Sequence, residues 1–253
     1  MTWSAQLYSS FETERTRPVR DLVNAIPLHQ IGMAVDLGCG PGNSTEVLAQ
    51  RFASAAIAGL DSSPDMVEAA RARLPGLQFE LADIAEWQPA QPVDVILANA
   101  SLQWLNDHNT LYPRLIAQLK VGGCLAVQTP DNMMEPSHRI AREIAASSKW
   151  ADRIGAARHP DRHPAQWYYS LLKPLCAQVD IWRTTYFHPL HNHQAIVQWF
   201  KGSALRPYLA ALTSDAQQAF LADYLQAIAQ EYPALADGSV LLPFPRLFMV
   251  ATR

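Results

Sequence analysis

The chain has 253 residues, a formal net charge of −3 and an isoelectric point near 6.2, which suits one large α/β domain with a buried core rather than two small independent ones. Its Lys and Arg residues are scattered and form no run, which argues against a general nucleic-acid or anionic-membrane surface. The three cysteines, Cys39, Cys124 and Cys176, are odd in number and far apart, which speaks against a disulfide framework or a zinc site.

The opening segment MTWSAQLYSSFETERTR has no apolar core of the signal-peptide kind, and no stretch approaches the roughly 18 apolar residues of a membrane span. A cytoplasmic protein is expected, with residues 1–30 as an N-terminal helical segment. Short β-like runs then alternate with helical stretches, the pattern of a parallel sheet flanked by helices. MAVDL, residues 33–37, predicts the first strand and STEVLAQRF its helix. AAIAGLD predicts a second strand ending at Asp61. In SSPDMVEAARARL, Ser63 is placed to cap, Pro64 suits the first helical position, and Asp65, Arg71 and Arg73 complement the helix dipole. LQFELAD and VDVILAN predict the third and fourth strands, LYPRLIAQLK a helix, and CLAVQTP, after Gly122 and Gly123, the fifth strand.

Beyond Pro130 a helix is expected from His138 to about Ser148, followed by a mobile Arg/His/Pro-rich stretch to about Pro164. QVDIWRTTYFHPL and PRLFMVATR predict two late strands that finish the sheet as an antiparallel pair at its edge. Between them, residues 188–238 are expected to form a helical cap, with Phe220, Leu221, Tyr224, Leu225 and Ile228 marking one apolar helix face.

Within AVDLGCGPGNST, Gly38, Gly40 and Gly42 occupy the turn from first strand to first helix, where doubly wound folds bind their ligands. The dinucleotide fingerprint G-x-G-x-x-G fits poorly, because its third glycine arrives one position early and Asn43 stands where a glycine is wanted. No Gly-Lys-Ser/Thr follows, so a Walker loop is ruled out.

The run D-L-G-C-G-P-G resembles the first motif of the class I S-adenosylmethionine-dependent methyltransferases. The resemblance implies a doubly wound, Rossmann-like sheet over residues 1–253, mostly parallel with an antiparallel edge strand, and an N-terminal segment folded over the cofactor. It implies that Asp61, ending the second strand, accepts both ribose hydroxyls of S-adenosylmethionine, and that Asp83, ending the third, accepts from the adenine amino group. Asn99, ending the fourth, belongs beside the amino acid end. The full implied cofactor set is Asp36, Gly38, Gly40, Asn43, Asp61, Ser62, Met66, Asp83, Ile84, Asn99 and Ser101. A cofactor without a pyrophosphate also tolerates Asp36 near its cationic end.

After the fourth strand, Asn99-Ala100-Ser101-Leu102 replaces the Asn/Asp-Pro-Pro-Tyr tetrapeptide of amino-group methylation on nucleic-acid bases, and no cysteine is placed for cytosine C5 chemistry. The segments LYSSFETERTRP, GLDSSPDM, LANASLQWL, AVQTPDN, VDIWRTTYFH and PFPRLFMVATR extend the resemblance over nearly the whole chain, to a family of methyltransferases that esterify one carboxylate of trans-aconitate. Such a small tricarboxylate is ionised at neutral pH, so no general base is expected. Its other carboxylates call for arginine forks. Candidates for substrate contact are Arg15, Arg17, Arg183 and Arg246, with Tyr8, Gln103 and Trp104 as wall residues, and Trp182 and Tyr186 on the same footing. The cluster His188, His191 and His193 has no acidic or cysteine partner at ligand spacing, so no metal is expected. A monomer or weak oligomer is expected, with no nucleic-acid or membrane partner. Methylation of another small acid or phenol, an NAD-dependent oxidoreductase and a catalytically silent binding module stay open as alternatives.

Overall fold

The computed structural model describes residues 12–155 and 163–253, with side chains described from residue 16 onward. Helix α1 spans Glu12–Asn24, followed by β1 (Met33–Leu37), α2 (Asn43–Arg51), β2 (Ala56–Asp61), α3 (Pro64–Arg73), β3 (Gln78–Leu81) and β4 (Val93–Asn99). After a short 3₁₀ turn at Leu102–Trp104 come α4 (His108–Ala117) and β5 (Leu119–Pro130). Then follow α5 (Pro136–Ala145), α6 (Ala151–Ile154), α7 (Ala165–Leu172) and β6 (Gln178–Leu190). The last elements are α8 (His193–Lys201), α9 (Arg206–Leu209), α10 (Ser214–Glu231) and β7 (Val240–Thr252).

Seven strands form one sheet in the order β3-β2-β1-β4-β5-β7-β6. The pairs β1–β2, β1–β4, β2–β3 and β4–β5 are parallel. Strands covered on both faces must be apolar at nearly every position, as MAVDL and VDVILAN are. The sheet grows outward from β1 and β4 in opposite directions, so a topological switch point lies at their carboxyl ends. At the far edge the chain runs the other way: Gly122 N donates to Arg253 O (2.8 Å), Arg253 N to Gly123 O (2.9 Å), and Ala177 N to Thr252 O (2.8 Å). The start of β5 and the start of β6 therefore both meet the end of β7, which makes β7 antiparallel to its neighbours.

Several boundaries differ from the sequence expectation for physical reasons. Ser63 does hold the N-cap position of α3, but its side chain makes no capping bond; its backbone N donates instead to Asp61 Oδ1 (2.9 Å). Strand β5 starts at Leu119, five residues before Cys124, because Gly122 and Gly123 sit in a bulge: Val93 pairs with Leu119, but Val95 pairs with Cys124. Helix α4 accordingly stops at Ala117. Pro136 starts α5 two residues ahead of His138, since proline is suited to the first helical position. The stretch after Ser148 begins as packed structure, with Trp150 fully buried and α6 following it; residues 156–162 lie outside the described residues. Strand β7 begins at Val240, because Val240, Leu242 and Phe244 turn inward on alternate positions and Pro243 and Pro245 are carried within the strand.

The chain divides into two compact units. The first comprises Met1–Pro130, Pro160–Thr184 and Leu247–Arg253; the second comprises Asp131–His159 and Thr185–Arg246. In the first, Leu37, Ile96, Leu125 and Val127 from the sheet pack with Tyr112 and Leu115 of α4 and with Tyr168 and Leu172 of α7. Helix α1 packs on α2 and β5, and its exit is fixed by Arg51, which donates to the carbonyls of Val23 (2.7 Å), Ile26 (2.7 Å) and Leu28 (3.3 Å).

In the second unit, α10 packs against α5 and α8. Phe220, Tyr224 and Ile228, spaced four apart, are completely buried, and Leu221 and Leu225 flank them half-buried. Tyr224 donates its hydroxyl to Ser137 O (2.9 Å), and Ser137 N donates to the Tyr232 hydroxyl (3.0 Å). Trp150 Nε1 donates to Asp223 Oδ2 (2.8 Å), which also pairs with Lys149.

Candidate active site

The glycine loop is latched to the end of β2. Gly38 N and Cys39 N both donate to Leu60 O, at 2.8 and 2.9 Å, and Asp61 Oδ2 accepts from Gly40 N at 3.0 Å. Gly38 has φ +72°, and a Cβ built there would stand 2.4 Å from the Ser101 Cβ. Only glycine supplies both the left-handed backbone and the room for the segment after β4 to press against the loop. Ser101 completes that contact by donating its hydroxyl to Leu37 O (2.6 Å), while Ala100 N donates to Gln128 O (2.8 Å). The carboxyl ends of β1, β2, β4 and β5 are thus tied together by short bonds.

Asp36 on β1 is completely buried, and its Oδ2 accepts hydroxyl donations from Ser44 (2.6 Å) and Thr45 (2.7 Å) on α2. Burial pushes its carboxyl up to about 6; the two hydroxyls pull it back down, and the nearby Asp61 charge adds to the rise. A carboxylate that costs this much desolvation gains from a cation placed beside it.

Four buried oxygens here are acceptors without a hydrogen-bond partner: Asp36 Oδ1, Asn43 Oδ1, Asn99 Oδ1 and Gln103 Oε1. All belong to the glycine loop, to its flanks or to the segment leaving β4. Such a set suits a guest rich in donors and positive charge and would repel a pyrophosphate. Asp61, though it already accepts from Gly40 and Ser63, keeps spare lone pairs on both oxygens. Asp83 after β3 uses only Oδ1, to accept from Ala85 N (2.8 Å). Met66 and Ile84 are buried apolar residues, and Ser62 is exposed. The residues present therefore fit an adenosine bearing a zwitterionic, cationic tail.

Other side chains shape this region without any motif to announce them. Arg114 of α4 donates to Trp87 O (2.6 Å) and Ile84 O (2.7 Å), holding the connection that carries Asp83. His108 bonds through Nε2 to Leu102 O (3.0 Å) and through Nδ1 to the Tyr168 hydroxyl (2.8 Å), which steadies the 3₁₀ turn bearing Gln103 and Trp104. Gln103 is buried with Nε2 donating to Ala100 O, whereas Trp104 is about half exposed. Nothing but a helix-interior arginine and a lone histidine marks Arg114 and His108 in the sequence.

The expected substrate arginines are dispersed. Tyr8 lies outside the described residues, and Arg15 sits in α1 with its side chain outside them. Arg17 is exposed and pairs with Asp21 at 3.7 Å. Arg183 is exposed on the part of β6 that belongs to the first unit, where Trp182 stacks on Phe248 at 4.9 Å. In the second unit Arg246 is 5% exposed, its guanidinium 4.8 Å from the Phe244 ring centroid. There His188 stacks on Trp199 at 4.9 Å; burial first, and the Arg246 charge second, lower its imidazole to about 4, so it is neutral at physiological pH. Tyr186 is buried, and His193 Nε2 bonds to Tyr232 O at 2.6 Å. The three cysteines are buried and free, and burial raises all three thiols, that of Cys124 to about 12, so none is a nucleophile at neutral pH.

Known proteins share both the sequence and the fold of this chain. The sequence profile of a methyltransferase domain family matches residues 34–123, which run from β1 into β5. The chain is 53% identical to the trans-aconitate 2-methyltransferase of Klebsiella pneumoniae (strain 342), over 99% of this chain and 98% of that one. It is 50% identical to the protein of the same name from Rhizobium etli, over the full length of both. The chain belongs to the trans-aconitate 2-methyltransferase family. Among solved structures, the YcgJ protein of Bacillus subtilis shares the fold with a TM-score of 0.59 at 11% identity, covering 94% of this chain and 98% of that one. Coclaurine N-methyltransferase, solved with N-methylheliamine and S-adenosylhomocysteine, gives 0.54 at 14% identity, covering 95% and 72%.

Proposed function

We propose that this protein transfers a methyl group from S-adenosylmethionine to one carboxylate of trans-aconitate, giving the monomethyl ester and S-adenosylhomocysteine. The observation that carries this is the full-length identity of about half to trans-aconitate 2-methyltransferases, on a fold whose glycine loop is ringed by donor-free buried acceptors. When bound, S-adenosylmethionine supplies a methyl group on a sulfonium cation, open to in-line displacement by a carboxylate oxygen.

The chain's own residues then have three tasks. Asp61 accepts the ribose hydroxyls, Asp83 the adenine amino group, and Asn99 lies at the amino acid end; Asp36, Gly38, Gly40, Asn43, Ser62, Met66, Ile84 and Ser101 complete the cradle. N-terminal residues up to about 30 cover the cofactor, and the helices within residues 188–238 act as a cap. No general base is needed, because a carboxylate of ordinary pKa is already ionised. Positioning dominates instead, and alignment of this kind is worth roughly 7 to 11 kcal/mol of barrier. Arginine forks hold the carboxylates that do not react, the candidates being Arg15, Arg17, Arg183 and Arg246. Tyr8, Gln103 and Trp104 wall the site.

The reading includes a monomeric or weakly associating chain without nucleic-acid partners, located in the cytoplasm; among the described residues no helix is long and apolar enough to cross a membrane. Steady-state kinetics on trans-aconitate, cis-aconitate, isocitrate and citrate test the substrate. A preference for trans-aconitate is expected, and Arg246→Ala should raise its KM about tenfold or more while S-adenosylhomocysteine binds as before. Equal rates on all four acids would overturn the assignment.

A further inference from the structure

The chain leaves β4 through a strained turn. Ala100 has φ +53°, a left-handed backbone that a side chain disfavours, and outliers of this kind gather where a site needs a fixed geometry. Three elements hold the turn in place. Ala100 N donates to Gln128 O of β5 (2.8 Å), Ser101 Oγ donates to Leu37 O of β1 (2.6 Å), and His108 of α4 bonds through Nε2 to Leu102 O (3.0 Å). All of these residues belong to the first unit. The turn also stands against the glycine loop, since a Cβ on Gly38 would meet Ser101 Cβ at 2.4 Å and Ile84 Cδ1 at 3.4 Å.

Gln103 closes this turn with half of its amide. Its Nε2 donates to Ala100 O, and that carbonyl fixes which end of the amide is the donor. The residue is only 4% exposed, and its Oε1 is shut off from solvent with no hydrogen-bond partner among the described residues. Asn99, just before Ala100, leaves its Oδ1 in the same condition. One turn thus combines a left-handed alanine with two buried acceptors, each of them costly until a donor arrives.

The two guests of the proposed reaction differ in what they offer such acceptors. Trans-aconitate, with its carboxylates ionised and no hydroxyl, has no hydrogen-bond donor at all. S-adenosylmethionine has its ribose hydroxyls and adenine amino group, which that reading gives to Asp61 and Asp83, and the ammonium of its amino acid tail. An ammonium carries three N–H donors, which the Asn99 oxygen alone does not use up.

Resting on that reading, we propose that Gln103 is a cofactor-binding residue whose Oε1 accepts from the ammonium group of S-adenosylmethionine, alongside Asn99 Oδ1. The Ala100 turn, bonded to β1, β5 and α4, is what keeps the two amide oxygens in place for it.

Calorimetry on the full chain compares S-adenosylhomocysteine with its deaminated analogue, in which hydrogen replaces the amino group, and reads the ratio of the two affinities. Gln103→Leu offers no acceptor and should shrink that ratio about tenfold, by weakening S-adenosylhomocysteine while the analogue binds as before. Gln103→Glu puts a carboxylate in the same position and should widen the ratio about threefold or more, because a charged acceptor holds an ammonium more strongly. A ratio that Gln103→Leu leaves unchanged would overturn the proposal, whether both ligands bind as before or both are weakened alike, as loss of a merely structural clamp would do. Should Gln103→Leu fail to fold, Gln103→Glu decides: a wider ratio sustains the proposal, and an equal or narrower one overturns it. No acid substrate enters these measurements. Failure to methylate trans-aconitate would therefore sink the proposed function and leave the Gln103 ratio to be read on its own.

Discussion

Replacing Asp36 by Asn tests the electrostatics at the centre of the site. Asp36 has no solvent exposure, and its carboxyl is raised from 3.8 to about 6, chiefly by burial. A folded-state pKa above the unfolded one means that the native state binds the proton more tightly. The associated stability is therefore fully present below pH 3.8 and is lost as pH rises through 6. At about 1.36 kcal/mol per pKa unit the complete loss is about 3 kcal/mol, of which about 1.4 kcal/mol falls between pH 5 and pH 7.5. The amide of the Asp36→Asn variant has no proton to lose there and keeps an oxygen to accept from Ser44 and Thr45. Urea unfolding of both proteins from pH 5 to pH 7.5 should show the variant gaining about 1.4 kcal/mol relative to the original as pH rises, whatever constant offset the new amide brings. A difference that stays flat across this range would refute the account of a buried, destabilised carboxylate.

Gly38→Ala should abolish cofactor binding and lower stability by about 2 to 4 kcal/mol, since an added methyl meets Ser101 in a left-handed backbone; calorimetry with S-adenosylhomocysteine and chemical unfolding measure both. Arg51→Ala should destabilise the first unit by about 3 kcal/mol by stripping three carbonyls of their charged donor, with protease cleavage near α1 as the readout.

Much of the first unit was legible because parallel strands announce themselves as short apolar runs and the glycine loop is local in sequence. The expected strand ends at Leu37, Asp61 and Asn99 coincide with the observed ones. The start of β5 was hidden because a Gly-Gly pair reads as a breaker, while its role as a bulge depends on strands β4 and β7 that only the fold brings alongside. Asp36 stood out as an acid near a glycine loop, yet its bonds to Ser44 and Thr45 depend on how α2 enters, which composition does not reveal.

The most direct measurement is transfer of a labelled methyl group from S-adenosylmethionine to trans-aconitate by the purified protein, with the product treated with mild base. The account predicts a labelled monomethyl ester that base hydrolyses, formed in preference to products from cis-aconitate, isocitrate and citrate. Tight binding of S-adenosylhomocysteine with no label on trans-aconitate would contradict it.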